Sequence, residues 1–187
     1  MRIYFIRHGK TQGNLEKRYI GRTDESLCEA GINELRGRKY PDADIAAVSP
    51  MKRCVETAHI IYPDKEIISF DGFRECDFGS FEGRNYSELN GDEYYQRWID
   101  SGGTLPFPCG ESVEGFKRRC IDTFDDMIKN IFYEKLALIV HGGTIMSVLE
   151  KYAVPQKNYY DYMIKNAEYY ITEYDGERLR IIENEDR

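Results

Sequence analysis

Residues 1–10 read Met1-Arg2-Ile3-Tyr4-Phe5-Ile6-Arg7-His8-Gly9-Lys10. Ile3 to Ile6 is a short apolar run of β-forming residues, too brief for a buried helix and suited to a buried strand. Arg7, His8 and Gly9 close it. Open α/β sheets hold ligands outside the carboxyl ends of their strands. A cation, an imidazole and a glycine at such an end put polar chemistry where the backbone leaves the sheet. His8 is the candidate reactive group, and a sheet and a pocket are expected around it.

The chain has 187 residues, a length that fits a single domain over 1–187 with a sizeable core. Its Lys plus Arg total of 26 against 33 Asp plus Glu gives a net charge of -7, which argues against a nucleic-acid surface. A small anionic substrate stays open, because a few arginines dominate a local pocket. The five cysteines are scattered and form no CxxC, so reduced thiols are expected rather than a disulfide framework or a zinc site. No apolar run reaches the length of a membrane span. No signal-peptide pattern follows the first strand, and the expected compartment is the cytoplasm. The 15 tyrosines are compatible with surface or interface packing; the oligomeric state is open, a homodimer included.

Lys10 to Leu27 is polar and broken by Gly13 and Gly21, a loop with a helical turn around Thr11 to Glu16. A helix is predicted over 29–39, with Ile32 and Leu35 inward and Pro41 beyond it. Ile45 to Val48 is the second strand. Ser49 is expected to cap the next helix, with Pro50 in its first position, and that helix runs to about Tyr62. Glu66 to Phe70 is a shorter strand near an edge. Asp71 to Gly83 is loop-like, and Tyr86 to Trp98 holds short helical segments. A rigid excursion through Gly102-Gly103 and Pro106-Phe107-Pro108 comes next, and Ser112 caps a helix to about Ile131. Leu136 to Val140 is the most apolar strand and is expected near the centre. His141-Gly142-Gly143 turns into a helix over 144–152, which Pro155 ends, and a short helix is expected over 156–163. Tyr169 to Tyr174 and Leu179 to Ile182 form a hairpin through Asp175-Gly176-Glu177. The expected class is α/β, a mixed sheet with helices on both faces.

His8 and His141 both follow buried strands. If those strands are parallel neighbours, both imidazoles reach one edge of the sheet. Each alone reads equally well as a buried hydrogen-bonding histidine; the pair does not. Arg53 lies in the first turn of the helix after the second strand, where a cation does little for the helix and suits an anionic ligand. Arg7 and Arg53 offer planar forks for phosphoryl oxygens. Glu75, beside Arg74, suits proton transfer, with Asp77 as its competitor. Histidine attacks phosphorus to give a covalent intermediate that water resolves, which needs a neutral imidazole, several cations and an acid. A metal reading is weaker, because two arginines oppose a cation and no HxH or HExxH occurs.

Arg7-His8-Gly9-Lys10-Thr11 with Asn14 resembles the signature of the histidine phosphatase, or phosphoglycerate-mutase-like, superfamily. Ser49-Pro50-Met51-Lys52-Arg53 with Glu56-Thr57-Ala58 is similar to its second motif. Arg74 to Gly79 with Phe81-Glu82-Gly83 resembles its acid-bearing loop, and Val140-His141-Gly142-Gly143 its last motif. The four stand in family order. The resemblance implies a three-layer sandwich with a mixed, mostly parallel sheet. It also implies phosphorylation of His8, proton transfer by Glu75, and a phosphate pocket of Arg7, Asn14, Arg53, His141 and Gly142. No cofactor or metal is required.

Gly21-Arg22-Thr23-Asp24 with Leu27, Gly31 and Ile32, and Pro106-Phe107-Pro108-Cys109-Gly110-Glu111-Ser112, resemble the α-ribazole phosphatase branch. Cys109 stands where a glycine is common in that branch. Cofactor-dependent phosphoglycerate mutases place a small hydroxyl residue where Ile20 stands and carry an arginine pair absent from 84–110. The expected activity is metal-independent hydrolysis of a small phosphomonoester, with α-ribazole phosphate first. A broad-specificity phosphatase, a mutase and a non-catalytic phospho-ligand scaffold follow in that order. Arg22, Glu82 and the excursion at 84–110 are the expected specificity wall.

Overall fold

The computed structural model describes residues 1–182. The opening run forms β1 (Arg2–Arg7). The chain continues through α1 (Gln12–Leu15), α2 (Glu29–Gly37), β2 (Ile45–Val48), α3 (Lys52–Ile61) and β3 (Ile67–Ser69). Then come α4 (Tyr86–Leu89), α5 (Glu93–Asp100), α6 (Val113–Asn130), β4 (Lys135–Val140) and α7 (Gly142–Tyr152). The last described strands are β5 (Ala153–Val154), β6 (Tyr169–Tyr174) and β7 (Leu179–Ile182).

The strands form one sheet in the order β3-β2-β4-β1-β6-β7-β5. β3, β2, β4 and β1 are mutually parallel, while β6 runs antiparallel to both β1 and β7. This is an α/β sandwich with a mixed, mostly parallel sheet. Side chains alternate across a strand, and β1 follows that rule. Ile3 and Phe5 join Leu136, Leu138 and Val140 of β4 beneath Phe124 and Met127 of α6 and Val148 of α7. Tyr4 and Ile6 face the other way, with Ala46, Val48 and Ile139, beneath Cys54 and Ala58 of α3. Strands covered on both faces read as continuous apolar runs for this reason.

Several sequence expectations are corrected. Ser49 does not cap α3: Met51 is the N-cap residue, and Pro50 lies outside the helix. α7 begins at Gly142, so His141 is the N-cap residue and both glycines are helical. The helix expected over 156–163 is a 3-10 turn, Tyr159–Tyr162. α2 stops at Gly37, two residues short of the expected end. β5, a two-residue strand pairing with β7, was not foreseen; two residues carry no periodicity. Ser112 does cap α6, its side chain accepting from the Gly115 amide at 3.1 Å. The excursion at 84–110 folds around its own apolar cluster, in which Phe81, Leu89 and Phe107 are buried against Phe116 and Cys120 of α6. No helix among the described residues is long and apolar enough to cross a membrane.

Candidate active site

β1 and β4 are parallel and paired with Arg7 opposite Val140. The two residues that follow in each strand direction are therefore brought to one edge. His8 and His141 stand with ring centroids 5.2 Å apart and planes at 67°, and both are buried. His8 Nδ1 lies 2.7 Å from the Gly9 carbonyl. A carbonyl only accepts, so Nδ1 carries the proton and the neutral ring presents its lone pair on Nε2. Burial pushes the His8 pKa well below 6.5, and Arg53 and Arg7 add to that push. His141 is lowered the same way, by burial and then by Arg53, His8 and Arg7.

Arg7 is braced by a hydrogen bond from Nη1 to the Ile164 carbonyl at 2.7 Å. Its Nε is buried and has no partner. A Cβ placed on Gly142 would sit 3.4 Å from that Nε, so the unpaired donor lies against the first residue of α7. A helix N-terminus with free amides and an unpaired guanidinium donor favours an anion. Arg53 is 1% exposed. It donates from Nη1 to the Thr23 carbonyl at 2.9 Å and from Nη2 to the Gly21 carbonyl at 3.0 Å. Besides facing both imidazoles, it therefore anchors the 20–23 loop.

Asn14 accepts on Oδ1 from the Thr11 amide and from Asn166 Nδ2, both at 3.1 Å. Both partners are donors, which fixes the side-chain amide and leaves Asn14 Nδ2 free to donate. Glu75 Oε1 accepts from the Cys76 amide at 3.0 Å and would lie 2.8 Å from a Cβ on Gly143. Burial raises its pKa, against the pull of the Cys76 amide and of Arg53, Arg7 and Arg119. Asp77, its competitor, is committed elsewhere: Oδ2 pairs with Arg22 at 3.0 Å and Oδ1 accepts from the Gly79 amide.

Arg7, His8, Arg53, Glu75, His141 and Gly142 are thus gathered around one point, with Asn14 joined to His8 through Asn166. Arg22 is not among them. It lies largely exposed on an open cleft on the other side of Glu75. Glu82 is structural, accepting from the Gly21 and Thr23 amides at 2.9 Å each.

Three residues with no part in the site on sequence grounds support it; Ser49 is expected there only as a helix cap. Ser49 Oγ bonds His141 Nε2 at 2.8 Å. Thr57 donates to the Arg53 carbonyl and accepts from the Gly9 amide, tying α3 to the turn after His8. Asn166 Nδ2 donates to the His8 carbonyl at 3.0 Å. Ser49 and Thr57 lie inside a recognisable motif; Asn166 carries no local signal at all.

Beside this cluster lies a chamber of about 380 Å³. Arg7, Glu75 and Gly142 form one end, and Tyr19, Phe78, Trp98, Phe107, Phe116 and Tyr159 form much of its wall. Among the described residues, Arg7 is its one basic lining residue. No group of three or more His, Cys, Asp or Glu among the described residues is arranged to hold a metal ion.

Facing imidazoles, buried guanidinium groups and a carboxyl of raised proton affinity, at the carboxyl edge of a mixed sheet, define an enzyme of the histidine phosphatase type. The chain belongs to the histidine phosphatase superfamily (branch 1), whose family model matches residues 3–187. An adenosylcobalamin/alpha-ribazole phosphatase of Escherichia coli K12 is 24% identical over 162 residues, 81% of this chain and 78% of that protein. The alpha-ribazole phosphatase structure from Shigella flexneri has a TM-score of 0.86 at 19% identity, over 97% of this chain and 95% of that one. A phosphoserine phosphatase from Entamoeba histolytica, solved with 3-phosphoglyceric acid, has a TM-score of 0.80 at 26% identity, over 97% and 95%.

Proposed function

We propose that the chain hydrolyses a small phosphomonoester through a phosphohistidine on His8, and that its substrate is α-ribazole phosphate. The two-step chemistry follows from the proton positions. His8 Nε2 attacks phosphorus, and the bond to the leaving oxygen breaks. Glu75, whose hold on a proton is strengthened by burial, gives its proton to that oxygen. Its carboxylate then takes a proton from water, whose oxygen attacks phosphorus as the P–N bond breaks. Phosphate leaves and His8 is restored. Arg7 Nε, the Gly142 amide, Arg53, His141 and Asn14 Nδ2 are the donors for the phosphoryl oxygens, and this fixed field supplies much of the acceleration. Arg22, on the open cleft on the other side of Glu75, is not in this set.

The observation that carries the substrate is the aromatic chamber. Its wall suits a flat, weakly polar leaving group, and a benzimidazole riboside has that shape. Among the described residues this wall holds no second cation for a substrate carboxylate, which disfavours a phosphoglycerate mutase. Its few polar groups favour a second reading, a phosphatase of broad range. The test is kcat/KM for α-ribazole phosphate against a panel of alkyl, sugar and aryl phosphates. A marked preference for α-ribazole phosphate supports the first reading and a flat profile the second. Absence of phosphate on His8 by mass spectrometry during turnover, with no hydrolysis of any ester, removes both.

A further inference from the structure

Arg119 has no part in the reaction as written, yet it makes the most extensive side-chain contacts around the acid loop. Its Nε and Nη2 grip Glu111 Oε1 and Oε2 at 3.0 and 2.7 Å, a two-pronged fork. Its Nη1 donates to the carbonyls of Gly72 and Arg74 at 2.8 and 2.9 Å. Arg74 immediately precedes Glu75. On the far side, the Glu111 amide donates to the Asp77 carbonyl at 2.9 Å, and Glu111 Oε2 accepts from the Asp77 amide at 3.4 Å. The backbone is therefore held one residue before Glu75 and two residues after it by a single ion pair. The pair is rooted at α6, since Arg119 lies within the helix and Glu111 just before its Ser112 cap. The Arg119 guanidinium also sits over the Phe116 ring, 5.3 Å from its centroid. A Cβ on Gly143 would meet both that ring and Glu75 Oε1 at 2.8 Å, so α6 supplies both the clamp and part of the surface beneath the carboxyl.

We infer that Arg119 and Glu111 are positioning residues for proton transfer by Glu75, setting where its carboxyl stands relative to the leaving oxygen. The inference rests on Glu75 being the proton donor. A misplacement of about 1 Å at a reacting group costs up to roughly 100-fold in rate. The cost falls on substrates that need the proton. An alkyl phosphate expels a basic alkoxide and needs it; p-nitrophenyl phosphate expels a stable phenolate and does not.

The experiment measures the single-turnover rate of alcohol release, which precedes the phosphohistidine hydrolysis common to both esters, together with KM and pH profiles, for Arg119→Gln, Arg119→Lys, Glu111→Gln and Glu75→Gln. Expected for Arg119→Gln is a roughly 10–100-fold loss in the rate of alcohol release from the alkyl ester, with KM little changed and release of p-nitrophenol nearly unaffected. Its descending pH limb moves up, because a cation that favours the Glu75 carboxylate is gone. Arg119→Lys keeps the charge and loses the fork, so it loses rate on the alkyl ester while the limb stays in place. Glu111→Gln repeats the rate pattern and serves as the second variant if Arg119→Gln does not fold. Equal losses on both esters, with an unmoved limb, overturn the inference and leave a purely structural ion pair. If Glu75→Gln itself lacks the leaving-group difference, Glu75 is not the donor and both readings fall together.

Discussion

His8 has one ring nitrogen committed to the Gly9 carbonyl and its charge suppressed by burial and two guanidinium groups. That makes it a neutral nucleophile at physiological pH and leaves no second role for its Nδ1. Replacing His8 with Ala should abolish phosphoenzyme formation, read by mass spectrometry of the quenched enzyme, with the fold retained by circular dichroism. Glu75 has the opposite problem, a carboxyl whose ionised form is disfavoured. Its folded pKa lies above the unfolded one, so the folded chain holds the proton more tightly. The stability this contributes is present at low pH and is lost as pH rises through the folded pKa. Glu75→Gln should therefore raise Tm at neutral pH, with the gain vanishing below about pH 4. The same variant should lower kcat on an alkyl ester by about 10²–10⁴-fold. A variant both slower and more stable is what a buried acid kept for its reactivity predicts.

Among the elements, the loop at 20–24 depends on close backbone approach. A Cβ on Gly21 would sit 1.9 Å from the Cys76 carbonyl oxygen, which is backbone and cannot swing aside. Gly21→Ala should displace this loop from the acid loop, loosening the Arg53 anchor at the same time. We expect a loss of about 1–3 kcal/mol in chemical denaturation and a rise in KM. In the excursion, Cys109 is exposed and has φ of 57°, a left-handed conformation that costs a side chain about 1–2 kcal/mol. The branch motif commonly has glycine here. Cys109→Gly should stabilise the chain by up to about 1 kcal/mol after glycine's greater unfolded-state entropy is subtracted; a lower denaturation midpoint would contradict this. β4 is an interior strand packed on both faces. Leu138→Ala should cost about 2–5 kcal/mol.

For the whole molecule, the buried histidine pair links stability to pH. Both imidazoles are held below 6.5 in the folded chain. As pH falls below 6.5, the unfolded chain takes up protons at these sites and the folded chain does not. Stability is therefore full above that value and declines on acidification. Tm should drop between about pH 8 and about pH 5.5, and His141→Gln should remove part of the slope. The surface ion pairs, such as Lys129 with Asp126, add little to this balance, being exposed and screened.

The sequence by itself determined the strands, most of the helices and the chemistry. β1, β2 and β4 were legible because strands buried on both faces must be apolar throughout, and the polar residues that end them stand out. The same contrast marked His8, Arg53 and His141. Short-range caps such as Ser112 were legible because their donors lie three residues away. Ser49 misled for that same reason: a serine before a proline carries a local capping signal, yet its hydroxyl bonds His141, 92 positions away. Contacts in the folded chain alone reveal that Asn166 supports the turn after His8, that Arg22 stands outside the histidine–arginine cluster, and that Arg119 and Glu111 hold the acid loop. Each depends on contacts between distant segments, and chain periodicity carries no record of which loops will meet once the sheet has closed.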